Sequence, residues 1–275
     1  MTISEEKNVG VFRDDVLAGK VALITGGGSG INLGIATSFV AYGARVSLVS
    51  RTQEKLDAAA AQLSPDGATA KGFSADVRDA DALGEAVAKT VDAFGGIDIL
   101  VNGAAGNFLA PASKLSSKAF QTVMDIDTLG TFNASNLCYE HLKASKGVIL
   151  NVSAPQASMP TPLQVHAGAA KAAIEKMTQD LALEWGPDGI RVVGLTPGGV
   201  EDTEGVKRLL PPGLVEKVHA TLPLGRLATA REMGEIATFL VSEAAGYISG
   251  TTLMAEGASS MPLSGTFWNE LPRGG

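Results

Sequence analysis

The sequence predicts one doubly wound α/β domain over residues 1–275, with a mostly parallel seven-stranded sheet and helices on both faces. Two observations predict this fold class. Short apolar runs rich in β-branched residues alternate along the chain with longer stretches of helical periodicity, the pattern of parallel strands joined by right-handed crossovers. No linker rich in proline and serine and no internal repeat interrupts this alternation, so we expect a single domain.

The strands and helices can be placed from these runs. Strands are predicted at 21–25, 46–50, 97–102, 147–153, 190–197 and 250–255, with a further strand before residue 76. Helices are predicted at 54–63, 79–94, 117–143, 166–185 and 230–242, besides one that follows a glycine-rich turn. The remaining segments are predicted to be an N-terminal arm (1–18), a substrate lid after a strand end (199–224) and a C-terminal tail (259–275).

Composition and charge exclude several classes of function. The chain has 275 residues, of which 45% are hydrophobic and 5% aromatic, and these values argue against disorder. The net charge of −7 disfavours a nucleic-acid partner, so an anionic ligand must meet local cations. Cys138 is the only cysteine, and we expect neither a disulfide nor a metal site. The N-terminus lacks signal-peptide features and no apolar run reaches membrane-spanning length, which predicts a cytoplasmic location without a membrane partner.

The stretch TGGGSGINLG at 25–34 predicts a nucleotide cradle of the Rossmann type. It lies between a predicted strand and a predicted helix, where glycines let the backbone approach a pyrophosphate and the helix N-terminus faces the anion. A glycine-rich turn without a ligand is the alternative. Asn32 stands where a third glycine would favour close packing, so we expect it to perturb the helix start or to contact the pyrophosphate. The candidate contacts are Gly26, Gly28, Ser29, Gly30, Ile31 and Asn32.

The end of the second strand indicates the choice of cofactor. An acidic residue at this place holds the ribose 2′-hydroxyl in NAD-binding proteins. Here the strand ends with Ser50, and Arg51 follows it. A guanidinium group can pair with a 2′-phosphate, so the sequence favours NADPH over NADH. An ordinary solvated arginine at a helix start is the alternative.

Further landmarks follow in order along the chain. They are Asp76-Val77 after the third strand, NGAAG at 102–106, Lys171 in a helix of small residues, Pro197-Gly198 after the sixth strand and EGA at 256–258. Together with TGGGSGI at 25–31, they make the chain resemble the short-chain dehydrogenase/reductase family over nearly its whole length. The resemblance implies an oxidoreductase that assembles as a homotetramer or a homodimer.

The same resemblance implies the roles of several residues in cofactor binding. Asp76 would contact the adenine amino group beside Val77, and Lys171 would hold the nicotinamide ribose. Asn102 and its neighbours would line the cofactor groove. The residues expected to cover the nicotinamide are Pro197, Gly198 and Val200.

The chain departs from the family pattern where the proton donor is expected. Members of this family usually carry a tyrosine four residues before the lysine, and here that position holds Ala167. The usual serine after the fifth strand is Ala154, beside Ser153, and the usual asparagine of the long helix is Asp127. Three explanations remain open: a catalytically silent cofactor-binding module, replacement of the tyrosine by His166, or a reaction that needs no hydroxyl acid. The helical spacing of His166 from Lys171 favours a structural histidine.

The third explanation has support from a narrower resemblance. AAGNF at 104–108, VMDIDTLGTFN at 123–133 and LQVHAGAAKAA at 163–173 resemble the 2,4-dienoyl-CoA reductase branch of the family, which also lacks the tyrosine. The resemblance implies that Asn107 donates a hydrogen bond to the substrate thioester and that Asp127 and Lys171 position a water for protonation. Alternatives are a turn residue for Asn107 and a surface or capping carboxylate for Asp127.

The branch resemblance also implies residues that contact an acyl-CoA thioester. The alternatives are a surface position for Arg78 and Arg208 and a core position for Phe108. For Ser116 the alternative is a helix N-cap, which its place in LSSKAF favours. The substrate candidates are Arg78, Phe108, Ser116 and Arg208. A carbonyl or enoyl reductase that acts on another substrate through His166 or water is a further alternative function.

Overall fold

Seven parallel strands form a single sheet, so the predicted fold class is confirmed. The structure is a computed structural model, which describes residues 12–203, 206 and 222–260. The strands are β1 (Val21–Thr25), β2 (Arg45–Ser50), β3 (Ala70–Ser74), β4 (Ile99–Asn102), β5 (Val148–Val152), β6 (Arg191–Pro197) and β7 (Thr252–Ala255). Their order is β3-β2-β1-β4-β5-β6-β7, so the winding of the sheet reverses between β1 and β4.

The helices of the described residues connect these strands. They are α1 (Gly30–Ala41), α2 (Gln53–Leu63), α3 (Ala80–Phe94), α4 (Ser117–Met124), α5 (Gly130–Ser145), α6 (Val165–Trp185) and α7 (Ala230–Val241). The predicted helix over 117–143 is helical throughout, but it is not uniformly α-helical, because a π-helical turn at Asp125–Leu129 separates α4 from α5. The carboxylate of Asp127 in this turn is bound by the backbone of Gly106 and by Lys171, contacts that the apolar periodicity does not encode.

Apolar side chains fill both faces of the sheet. Successive strand residues point to opposite faces, so Ile24 joins one core cluster and Leu23 the other. The first cluster includes Phe39 of α1 and Leu240 of α7, and the second includes Leu142 of α5. Helices therefore cover both faces, as predicted, and the carboxyl ends of the strands are left to form a ligand site.

A row of polar residues crosses the sheet near its carboxyl edge. Thr25 of β1 pairs in register with Asn102 of β4, which pairs with Asn151 of β5. The Asn102 amide donates to Asn151 Oδ1 (2.9 Å) and to Ser135 Oγ (3.0 Å). The Thr25 hydroxyl accepts hydrogen bonds from the backbone of the loop after β4. This row holds the loops after β1 and β4 together at the point where the winding reverses.

Several predicted segments lie partly or wholly outside the described residues. Of the predicted arm only 12–18 is described, and of the predicted tail only 259–260. The predicted lid is described at 199–203, 206 and 222–224. Among the residues that the structure describes, no helix is long and apolar enough to cross a membrane, and no group of three or more acidic, histidine or cysteine side chains could hold a metal ion.

Candidate active site

The turn between β1 and α1 has the backbone shape of an anion cradle. Gly26 has a φ of +69° and Gly30 a φ of +59°, a conformation that favours glycine. A Cβ atom at Gly26 would lie 3.0 Å from the Cα of Ala104, so no side chain fits between this turn and the loop after β4. Ser29 is the N-cap of α1, but its side chain makes no capping hydrogen bond. The N–H groups of the first turn, from Gly30 to Asn32, are thus free to bind an anion, which fits the pyrophosphate of a dinucleotide.

Asn32 connects the two loops that meet at the cradle. Its amide nitrogen donates to the carbonyl oxygen of Gly103 (2.8 Å) and to that of Gly26 (3.3 Å). Its Oδ1 atom is buried and has no partner in the described part of the chain. The side chain is therefore directed at the protein backbone, and the first expectation, an effect on the helix start, fits this geometry better than contact with the pyrophosphate. Ile31 beside it packs against the core.

The carboxyl end of β2 offers cations for the adenosine end of a cofactor. Arg51 is exposed and forms no salt bridge among the described residues, as a guanidinium that pairs with a 2′-phosphate requires. A Cβ atom at Gly28 would lie 3.6 Å from Ser50 Oγ and 4.0 Å from the Cβ of Lys55, so the cradle borders this strand end directly. Lys55, in the first turn of α2, is a second cation beside this strand end that sequence reasoning did not single out.

Asp76 and Arg78 are bound to each other. The Arg78 guanidinium donates from Nε to Asp76 Oδ1 (3.0 Å) and from Nη2 to Asp76 Oδ2 (2.6 Å). This pair holds the pKa of the Asp76 carboxyl below its usual range, with the hydrogen bond from Arg78 as the largest cause and the charge of Arg51 as a smaller one. The structure thus joins two residues that the sequence assigned to different ligands. The neighbouring Val77 is buried, and its carbonyl oxygen accepts a hydrogen bond from Asn133.

A buried ion pair lies beyond the carboxyl ends of β4 and β5. Lys171 Nζ of α6 lies 3.2 Å from Asp127 Oδ2 and donates to the carbonyl oxygen of Val152 (3.1 Å). Asp127 Oδ1 accepts a hydrogen bond from the backbone N–H of Gly106 (2.7 Å). Asp127 is 1% exposed and Lys171 8% exposed, so Asp127 is neither a surface nor a capping carboxylate. An ammonium group has three N–H donors, and the third of Lys171 has no partner among the described residues.

Three amide side chains form a second group, here called the amide cluster: Asn107 and Gln156, which are half-buried, and Gln164, which is buried. Asn107 Nδ2 donates to Gln164 Oε1 (2.9 Å), and Gln156 Nε2 donates to the same oxygen (3.2 Å). Asn107 Oδ1 and Gln156 Oε1 are buried without a partner in the described part of the chain. Sequence reasoning found Asn107 but missed both glutamines, although Gln164 lies within the LQVHAGAAKAA stretch.

His166 packs against Phe108. The two rings are stacked with centroids 4.3 Å apart, and His166 is 0% exposed. Neither ring nitrogen of His166 has a hydrogen-bond partner among the residues that the structure describes. Ala167, where the family pattern has a tyrosine, is 4% exposed. A sealed and stacked imidazole fits a packing role better than that of a proton donor, as the helical spacing indicated.

Ser153 is hydrogen-bonded to an acidic side chain of α6. Its hydroxyl donates to Glu175 Oε1 (2.9 Å), which Thr196 also contacts (3.4 Å). Glu175 lies four residues after Lys171 on α6. The Ser153 hydroxyl, adjacent to the Ala154 that stands in place of the usual serine, is thus directed at Glu175.

The other predicted residues occupy the rim of the site. Pro197 ends β6, and the backbone of Gly198 donates to Ala255 (3.0 Å). Val200 is buried and bridges to Ala228. These contacts place 197–200 over the carboxyl edge of the sheet, where the resemblance implied a cover for the nicotinamide.

Ser116 and Arg208 are the remaining residues that were predicted to contact the substrate. Ser116 is the N-cap of α4 and accepts a hydrogen bond from the backbone N–H of Ala119 (3.1 Å), so the capping alternative is confirmed. Arg208 lies outside the described residues.

Comparison with known proteins agrees with the fold. The family model for short chain dehydrogenases matches residues 20–211. A short chain dehydrogenase of Bacillus anthracis has a solved structure that superposes with a TM-score of 0.81 at 38% identity, covering 88% of this chain and 97% of that chain. The chain belongs to the short-chain dehydrogenase family, whose members are oxidoreductases. The predicted family is therefore confirmed.

Several relatives of known name come from one branch of that family. A peroxisomal 2,4-dienoyl-CoA reductase of Rattus norvegicus that produces (3E)-enoyl-CoA is 46% identical over 256 residues, which are 92% of this chain and 88% of the relative. A peroxisomal 2,4-dienoyl-CoA reductase of Saccharomyces cerevisiae is 42% identical, over 90% of this chain and 86% of the relative. A probable 2,4-dienoyl-CoA reductase of Bacillus subtilis that produces (2E)-enoyl-CoA is 36% identical, over 86% of this chain and 95% of the relative. The predicted branch is thus confirmed by similarity.

Proposed function

We propose that the protein is an NADPH-dependent reductase that converts a 2,4-dienoyl-CoA thioester to a 3-enoyl-CoA. The observation that carries the proposal is Ala167 in place of the tyrosine, together with the buried Asp127–Lys171 pair and the amide of Asn107. A ketone reductase needs an acid aligned on the carbonyl oxygen, whereas a conjugated thioester needs a hydrogen-bond donor on its oxygen and a proton at carbon. The named relatives support the same substrate, and those of 40–46% identity support the 3-enoyl product.

The chain's own residues fit NADPH. The uncapped N-terminus of α1 takes the pyrophosphate, Arg51 takes the 2′-phosphate, and the third donor of Lys171 takes a hydroxyl of the nicotinamide ribose. Arg51 faces no acidic side chain of its own strand end, since Ser50 precedes it. A bound NADPH supplies the hydride that adds to C5 of the dienoyl chain.

The residues of the site then stabilise the negative charge on the substrate and supply a proton to it. Hydride addition at C5 moves electrons through both double bonds, and negative charge develops on the thioester oxygen. The second N–H of Asn107, which has no partner in the described part of the chain, donates to that oxygen. Asp127, oriented by Lys171, holds a water that gives its proton to C2, which leaves the double bond between C3 and C4, and the hydroxide that remains takes up a proton from the solvent. The carboxylate, fixed by Gly106 and Lys171, is oriented before the substrate arrives.

The test compares NADPH oxidation with three thioesters: a 2,4-dienoyl-CoA, a 3-ketoacyl-CoA and a simple 2-enoyl-CoA. We expect turnover of the dienoyl-CoA well above that of the others, with a 3-enoyl-CoA as the product by chromatography. Turnover of the ketoacyl-CoA alone would show that the proposed chemistry is wrong. No turnover of any thioester, with intact NADPH binding, would indicate a silent cofactor-binding module.

The location and the assembly stay predictions. Several relatives are named as peroxisomal enzymes. For this chain we expect a cytoplasmic location. A homotetramer or a homodimer is likewise expected from family membership.

A further inference from the structure

We propose that Gln164 is a positioning residue for the reaction, whose amide oxygen holds Asn107 so that its free N–H is directed at the thioester oxygen. The inference rests on the proposed function, because it assigns the control of one hydrogen bond in that reaction. Asn107 has two N–H groups on Nδ2, and Gln164 Oε1 takes one of them at 2.9 Å. The planar amide then fixes the direction of the other.

The orientation of Gln164 is itself determined by a second donor. Gln156 Nε2 lies 3.2 Å from the same Oε1 atom, so this oxygen accepts from two sides. Gln164 is 6% exposed, and solvent does not compete for its side chain. An amide oxygen with two donors in a buried place cannot exchange with its nitrogen without losing both hydrogen bonds. Gln156 therefore fixes the orientation of the Gln164 amide, and Gln164 in turn fixes the orientation of the Asn107 amide.

The position of Gln164 on its helix relates it to the missing tyrosine. Gln164 is the N-cap residue three positions before Ala167, and Lys171 lies one helical turn after Ala167 on the same face of α6. Gln164 thus holds the Asn107 amide at the start of the helix that lacks the tyrosine. The Asn107 amide, which belongs to the loop after β4, takes the place of the tyrosine hydroxyl that the helix carries in the family pattern.

The choice of residue at this position is unfavourable for the helix alone. Gln164 is the N-cap of α6, where serine, threonine, asparagine and aspartate are preferred, and its side chain makes no capping hydrogen bond. A capping residue in its place would stabilise the start of the helix. The glutamine side chain instead reaches the amide cluster, which is expected of a residue that serves Asn107 rather than its own helix.

The test is a double-mutant cycle on kcat with a 2,4-dienoyl-CoA. Gln164→Met removes the acceptor and keeps the length of the side chain, and we expect it to lower kcat on the order of 10-fold through misorientation of Asn107. In the Asn107→Ala background the same change should lower kcat less than about 2-fold, because the residue through which it acts is gone. The matched control is Gln179→Met, at an exposed position of the same helix, where kcat should stay unchanged. NADPH affinity and Tm show whether each variant is folded.

A conservative variant separates positioning from packing. Gln164→Glu, when ionised, still accepts both hydrogen bonds, so kcat should return toward the wild-type value at high pH and fall as the new carboxyl is protonated. A purely structural glutamine would give no such pH dependence. An equal loss of kcat in both backgrounds, or a wild-type kcat for Gln164→Met, would overturn the inference.

A spectroscopic measurement distinguishes this inference from the proposed function. The absorbance of 2,4-hexadienoyl-CoA should shift to longer wavelength when it binds the wild-type protein with NADP⁺, because a hydrogen bond to the thioester oxygen polarises the conjugated chain. Gln164→Met and Asn107→Ala should lose this shift to a similar extent. If the wild-type protein turns over the substrate and Gln164→Met keeps the shift, only the inference fails. If the wild-type protein neither shifts nor turns over the substrate, the proposed function fails and the inference with it.

Discussion

At the scale of single residues, the site depends on where a few side chains direct their hydrogen bonds. Asn32 illustrates this. The sequence predicted an effect on the helix start or contact with a pyrophosphate, and the structure directs its amide to the carbonyl groups of Gly26 and Gly103. The glycine usual at this place could not make that connection, so in this chain a side chain joins the two loops of the cradle.

Replacing Asn32 with glycine should therefore affect stability more than cofactor binding. The loss of two hydrogen bonds and the helix propensity of glycine lower the free energy of unfolding by about 1–3 kcal/mol. The Kd of NADPH should change less than about 5-fold, since the backbone donors of α1 remain. Denaturant titration and cofactor titration measure the two effects. A large loss of NADPH affinity at unchanged stability would show that Asn32 contacts the pyrophosphate itself.

His166 provides a second prediction at this scale. His166→Phe keeps an aromatic ring against Phe108 and removes both nitrogens, so we expect kcat within about 3-fold of the wild-type value, whereas removal of a general acid costs on the order of 10²-fold or more. Steady-state kinetics on protein with a normal Tm measure this. Loss of nearly all activity in a folded variant would make His166 the proton donor.

At the scale of elements, the π-helical turn between α4 and α5 is the main departure from the predicted pattern. Residues 117–143 have helical periodicity throughout, and a single helix was the natural prediction. The turn at Asp125–Leu129 directs Asp127 at Gly106 and Lys171, which belong to a loop and to another helix. Turns of this type often occur at functional sites because they redirect a side chain without ending the helix.

The start of α7 is built from a capping box with an added charge. Thr229 and Glu232 cap each other's backbone, and Arg226 pairs with the Glu232 carboxylate at 2.6 Å. The hydrogen bond from Arg226, followed by that from the Thr229 backbone, lowers the pKa of Glu232 to about 2. A lowered pKa in the folded state means that the carboxylate stabilises the fold above its unfolded pKa, and that this contribution is lost as pH falls toward about 2.

Glu232→Gln should thus lower Tm near neutral pH, and its difference from the wild-type protein should shrink as pH falls from about 5 to about 3. The effect is a few tenths to about 1 kcal/mol, because the pair is half exposed. Thermal unfolding over this range measures it, with Glu243→Gln as the control at an exposed acidic residue without a salt bridge among the described residues. A pH-independent difference would mean that the charge of Glu232 does not contribute.

At the scale of the whole molecule, the reversal of the sheet between β1 and β4 determines where the parts of the site meet. The cradle follows β1, the loop with Asn107 follows β4, and α6 with Lys171 follows β5. Cofactor binding at this junction joins elements from the whole described chain. Global stability should therefore report the binding of the cofactor.

NADPH should raise Tm more than NADH does at equal concentration. At about 100 times its Kd a ligand adds about 2.7 kcal/mol, which for a chain of this size is a shift of roughly 5 °C. Arg51→Ala should abolish most of the difference between the two cofactors, because the 2′-phosphate loses its cation. Arg13→Ala, which removes an arginine paired with Asp15 before β1, is the control. An equal loss of both shifts in Arg51→Ala would contradict the assignment.

The sequence by itself determined the fold class, the cradle, the family and the absence of the tyrosine. These features are local: apolar alternation defines the strands, glycines lie together in one turn, and a missing residue is visible at a known spacing from Lys171. Only the tertiary structure decided which polar groups pair. Asn107 and Gln164 are 57 residues apart in the chain, and Asn32 and Gly103 are 71 apart. The direction of an amide or a carboxylate depends on what the packed elements bring to it, and no local pattern encodes that.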